Sequence, residues 1–115
     1  MDISDIRIVL DETNTVIRGE YDEQTWWGVV TVDGKPLNPK ISQRVANHSP
    51  DGFSWGYSGS GPMQLALGIL LAAGVRKADA TAYCIRFRQA FIEALPRASF
   101  VLKVDVQGWL RQQKA

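Results

Sequence analysis

A run of apolar residues from Met63 to Val75, broken only by Gln64, constrains this chain more than any other segment. Its side chains surround the helix axis instead of lining one side, so the helix belongs at the centre of a core. The run falls short of the roughly 20 apolar residues that a membrane-spanning helix needs. Ser60 and Pro62 mark its start, because a serine oxygen accepts a backbone N–H as an N-cap and proline is tolerated in the first turn. Gly74 marks its end. A central helix needs layers around it, and a chain of 115 residues fits one domain, 1–115, with a modest core. With 45% hydrophobic residues and four tryptophans, the composition is that of a chain that folds.

The layers can be read from the two periodicities. Ile6, Ile8 and Leu10 alternate with Arg7 and Val9 as in a half-buried strand, Asp11 to Asn14 read as a turn, and Thr15–Tyr21 and Trp27–Val32 are further strands. Asp33-Gly34 accepts the positive φ angles of a type I′ turn. These three strands suggest an antiparallel meander, with Trp26 and Trp27 on opposite strand faces and one of them exposed. Pro36, Pro39 and Pro50 keep regular structure short between Lys35 and Ser60. After the central helix, a second starts at Lys77 or Asp79 and runs to about Leu95, where Pro96 forbids extension. Tyr83, Phe87, Phe91 and Leu95 recur every four residues, with Cys84 and Ala94 beside them, and leave Arg86, Arg88, Gln89 and Glu93 off the apolar stripe. Phe100, Leu102 and Val104 alternate as a last strand, and Asp105 can cap a terminal helix holding Trp109 and Leu110. The expected architecture is therefore α+β: a small antiparallel sheet of three to four strands on two main helices, closed by a short C-terminal helix.

Charge is distributed unevenly. Residues 1–33 hold eight acids against Arg7 and Arg18, a balance of −6, whereas residues 34–115 hold eleven bases against four acids, a balance of +7. Charge runs mostly face solvent, so the sharper reading of a basic face for an acidic partner ranks second. The acidic opening Met1-Asp2-Ile3-Ser4-Asp5 lacks the basic and apolar regions of a signal peptide, and the single Cys84 allows no intrachain disulfide. Both features point to the cytoplasm, with no membrane partner.

The loop ahead of the central helix is the richest in functional hints. Gly56, Gly59 and Gly61 alternate with Trp55, Tyr57, Ser58 and Ser60. Free amides at a helix start favour an anion. A phosphate loop, however, needs Lys-Ser or Lys-Thr after its last glycine, and Pro62-Met63 stands there instead. The favoured reading is a loop whose Trp55 and Tyr57 fold over the buried helix, with a protein-contact surface next, since adaptable recognition loops share this composition. His48, Ser49 and Asp51 are too close together in sequence to align as a triad, and His48 is expected to satisfy local backbone groups. Cys84 is expected to be a small buried hydrophobe. No metal or cofactor site is indicated. The candidate binding residues are Trp55, Tyr57, Ser58, Ser60, Gly61, Arg86 and Arg88.

The run Gly52-Phe53-Ser54-Trp55-Gly56-Tyr57, then Gly59-Ser60-Gly61-Pro62 and Gln64-Leu65-Ala66-Leu67, resembles the signature of a family of short uncharacterised bacterial proteins carried by phages, plasmids and integrative elements. Val32-Asp33-Gly34-Lys35-Pro36-Leu37, Asn47-His48-Ser49-Pro50-Asp51, Phe87, Leu95-Pro96 and Trp109-Leu110 follow the same pattern. The resemblance runs from about residue 28 to the C-terminus, so residues 1–27 read as an N-terminal addition. It implies a mobile-element setting and supplies no activity. The expected function is a small non-enzymatic binding protein that acts by protein–protein contact and inhibits a host defence or regulatory system. The alternative is a nucleic-acid-binding accessory protein that uses Arg76, Lys77, Arg86 and Arg88, with Trp55 or Tyr57 for stacking. A weaker one is a nucleotide- or phosphate-handling enzyme built on the glycine loop.

Overall fold

The structure, a computed structural model, describes residues 14–115, and the strand expected over Ile6–Leu10 lies outside them. Strands β1 (Thr15–Tyr21), β2 (Gly28–Val32), β3 (Lys35–Pro36) and β4 (Phe100–Val104) form one antiparallel sheet in the order β3-β2-β1-β4. Both edges of β1 are taken, by β2 from Ile17 to Tyr21 and by β4 from Thr15 to Gly19. β1, β2 and β3 follow one another in chain order, as in a meander, and the last strand of the chain returns to lie beside β1. Asp33 and Gly34 turn β2 into β3 with φ angles of 50° and 80°, as a type I′ turn requires. Asp33 also receives the Val16 amide on its carboxylate at 2.8 Å, tying the turn to β1.

Side chains alternate across the sheet. Ile17, Val30, Val32, Phe100 and Val104 are buried on one face, while Arg18, Glu20, Val29, Val101 and Lys103 are exposed on the other. The buried face joins helices α1 (Pro39–Val45), α2 (Ser60–Ala72), α3 (Lys77–Phe87) and α4 (Val106–Lys114) in a single core. α2 is the central helix that its all-round apolarity demands. Leu65, Leu67, Ile69 and Leu70 have no exposed surface, and Leu71 is half-buried. Its N-cap is Gly59 and not Ser60, which opens the first turn with an exposed side chain. Among the described residues no helix is long and apolar enough to cross a membrane.

The short α1 was not expected in the proline-rich connection, yet its start is well formed. The Asn38 side chain accepts the Lys40 amide at 3.0 Å, and Pro39 occupies the first turn. α1 is held to α2 by Gln64. The buried Gln64 Oε1 accepts the amides of His48 at 2.7 Å and Ser49 at 2.9 Å, while its Nε2 donates to Ser42 Oγ at 2.9 Å and to the Ala46 carbonyl at 3.1 Å. One side chain thereby satisfies groups from both α1 and the loop behind it.

α3 ends in a π-helical turn, Arg88–Ile92, whose signature bond runs from the Glu93 amide to the Arg88 carbonyl at 3.0 Å. The extra residue changes the phase of the expected four-residue stripe. Phe87 and Ile92, five apart, are the fully buried pair; Phe91 and Leu95 are half-buried, and Ala94 is exposed. α4 is capped by Asp105, whose carboxylate accepts the Gly108 amide at 3.0 Å. Its Trp109 meets Phe87 edge-on at 5.2 Å.

Replacing Leu67 or Leu70 by Ala should lower stability by about 2–5 kcal/mol through lost burial and a residual cavity. Gln64→Leu should cost about 1–3 kcal/mol, because it leaves the buried Ser49 amide without a partner, while the His48 amide and the Ala46 carbonyl keep only their 3.2 Å bond to each other. Chemical denaturation checks both. Wild-type midpoints in the leucine variants would mean that α2 is not central.

Candidate functional site

The signature loop folds over the start of α2, and Trp55 is its anchor. Trp55 has no exposed surface, its indole N–H donates to the Ala98 carbonyl at 2.9 Å, and its ring meets Phe100 edge-on at 4.8 Å. Tyr21 stacks on it at 4.3 Å, and the Tyr21 hydroxyl donates to the Trp55 carbonyl at 3.1 Å. The sheet makes room for these rings with Gly28 and Gly19, where a Cβ would collide with the rings of Trp55 and Phe100. Gly56 turns the chain away at φ 85°, donates its amide to the Ile92 carbonyl at 3.0 Å, and lies too close to the Leu95 carbonyl for any side chain.

Folded this way, the loop presents Tyr57 at the surface. The Tyr57 hydroxyl and Ser54 Oγ share a 2.7 Å hydrogen bond, and the guanidinium of Arg97 lies 4.8 Å over the Tyr57 ring while its Nε donates to the Gly56 carbonyl at 3.2 Å. Tyr21, Trp26, Trp27, Ser54, Tyr57 and Arg97 line an open groove of about 300 Å³. Trp26 and Trp27 are not on a strand, as expected, but in the turn between β1 and β2. Asp22 organises that turn: its backbone pairs with the Trp26 amide at 2.8 Å and the Trp27 carbonyl at 2.9 Å, and its carboxylate accepts the Gln24 amide at 2.8 Å. Trp26 sits in this closed turn at φ 64° with 74% of its surface exposed. A bulky residue with left-handed backbone costs on the order of 1–2 kcal/mol, and such strain concentrates at sites of contact.

The sequence-derived candidates are thus dispersed. Tyr57 lines the groove; Ser58 and Ser60 are exposed beside it; Trp55 and Gly61 are buried, the latter against Ser54, which stands over the first turn of α2. Trp55 offers no face for stacking. Arg86 is exposed over the Tyr83 ring at 5.4 Å, and Arg88 is held by Glu93 at 2.9 Å across the π turn. Arg76 and Arg86 lie at opposite ends of α3, about 15 Å apart at the helical rise, so the four bases form no single patch. Neither ion pair among the described residues, Arg88–Glu93 or Lys114–Asp79, joins the acidic opening third to the basic remainder.

His48 contributes its amide to Gln64 and leaves its side chain exposed. Cys84 is buried beside Met63, and burial pushes its thiol up, which keeps it protonated. Among the described residues no group of three or more His, Cys, Asp or Glu side chains is arranged to hold a metal ion. The sequence reading missed Tyr21, Ser54 and Arg97. Arg97 has no local signal, since it reaches Tyr57 only through the fold.

A family of unknown function (DUF6166) matches residues 18–112, and the chain belongs to it. No curated protein and no solved structure matches the chain.

Trp26→Gly should leave stability unchanged or raise it by up to about 1 kcal/mol, because glycine relieves the left-handed strain and the lost ring is solvent-exposed. A marked drop in melting temperature would show that the ring packs. Burial holds the Tyr21 hydroxyl above its ordinary value, against the opposing hydrogen bond to Trp55. Its raised folded value stabilises the chain fully below about pH 10, and that contribution is lost as the pH rises through the folded value. Denaturation midpoints followed into alkali should therefore fall in the wild type and fall less steeply in Tyr21→Phe, which starts about 1 kcal/mol less stable for want of the bond to Trp55.

Proposed function

We propose that this chain is a small, non-enzymatic binding protein that docks on another protein through the face shared by Trp26, Tyr57 and Arg97. Following the resemblance of its signature loop, its setting is a phage, plasmid or integrative element, and its partner belongs to a host defence or regulatory system. The observation that carries the reading is Trp26, held exposed at strained backbone in a hydrogen-bonded turn next to Tyr57 and Arg97. Tryptophan, tyrosine and arginine are the residues that dominate binding energy at protein interfaces. A turn that is already ordered loses little entropy on docking. The helix-borne bases favour nucleic acid less, because Arg88 is neutralised by Glu93 and the rest are spread along α3.

Affinity capture from the native host, with the wild-type chain and Trp26→Gly as parallel baits, tests this. A protein retained by the wild type should be lost with the variant. It should also stay bound as salt is raised, because an aromatic interface releases few counterions. Retention that vanishes on nuclease treatment, or that ignores the Trp26 substitution, would refute the reading.

A further inference from the structure

Resting on that protein-contact reading, we propose that the groove between Trp26 and Arg97 takes an extended, proline-rich peptide of the partner that carries a carboxylate beside its prolines. Four aromatic rings, Tyr21, Trp26, Trp27 and Tyr57, line the open groove. Proline rings stack on such aromatic walls, and a polyproline segment is already extended, so little order is lost on binding. Its backbone carbonyls have no internal partner and need donors. Trp55 directs its indole N–H inward to Ala98, whereas Trp26 is exposed and Trp27 half-buried where they line the groove. Pairing as an added β-strand is blocked at this end of β2, because the Gly28 amide already donates to the Phe53 carbonyl at 2.8 Å.

Charge chooses the flanking residue. Among the described residues Arg97 is the one cation lining the groove; its guanidinium lies over the Tyr57 ring and its Nε donates to Gly56. Its terminal nitrogens have no hydrogen-bond acceptor among those residues and can pair with a carboxylate in the forked geometry that arginine favours. Asp22 and Glu23 stand in the turn that carries Trp26. These acids repel any anion near Trp26, so the carboxylate belongs at Arg97, whereas a nucleic-acid backbone needs a continuous positive track that a single arginine does not supply. The groove therefore matches an acid-flanked proline peptide and mismatches a polyanion.

The test uses dye-labelled synthetic peptides and the full chain, with binding read as fluorescence anisotropy. An oligoproline ending in two glutamates should bind saturably, and about tenfold more tightly than the same oligoproline ending in two lysines. Trp26→Gly, shown folded by circular dichroism, should weaken the glutamate peptide about tenfold or more. Arg97→Gln should make the two oligoprolines bind alike. The assignment is overturned if the glutamate oligoproline does not bind, if a glycine-serine peptide with the same glutamates binds equally well, or if single-stranded oligothymidylate binds more tightly with a steep salt dependence. A partner captured through Trp26, together with no oligoproline binding, would retain the protein-contact reading and refute the proline assignment.

Discussion

The fold hangs on the amide of Gln64. A helix that is apolar on every side must be covered on every side, and the sheet, α3 and α4 do not close the flank next to residues 38–50. That segment has few apolar side chains to contribute: Val45 and Ala46 pack half-buried against the core, Ile41 is exposed, and Ser42 and Ser49 are its buried residues. Hydrophobic burial alone would not hold it. Four hydrogen bonds from one buried side chain do, and in a low-dielectric interior they are both strong and specific in direction. The price is sensitivity, because no residue of another shape can satisfy two amides, a hydroxyl and a carbonyl together.

A second cluster carries this order to the surface. Trp55 is fixed by Ala98, Phe100 and Tyr21, each from a different part of the chain, and Gly28 and Gly19 let its neighbourhood close against the sheet. With Trp55 immobile, Gly56 sets the direction of Tyr57, and Arg97 is laid across the Tyr57 ring. The exposed aromatic face is thus the outer layer of the core.

Most of the fold was legible in the sequence because its elements announce themselves locally. The central helix follows from all-round apolarity, the I′ turn from Asp33-Gly34, and the terminal cap from Asp105. Asn38-Pro39 also spelled out a helix start, but the surrounding prolines masked it. The order of strands was not legible, since only long-range pairing brings Phe100–Val104 beside β1. The site was less legible than the fold. Tyr57 stood out in its loop, yet its partners come from residues 21–27, 54 and 97, and no spacing rule links them. Trp55 carried two readings, a ring folded over the buried helix and a contact residue, because an aromatic ring beside glycines reads the same whether it faces a partner or the core; its burial matches the first.

The π turn at Arg88–Ile92 has a bearing on ancestry. A π turn is geometrically an α-helix with one residue inserted, accommodated by widening a single turn. Here the widened turn presents the Ile92 carbonyl to Gly56, so the insertion and the signature loop fit each other. Relatives that share the loop but lack the extra residue would show a one-residue gap between positions 88 and 92, together with a compensating change near Gly56.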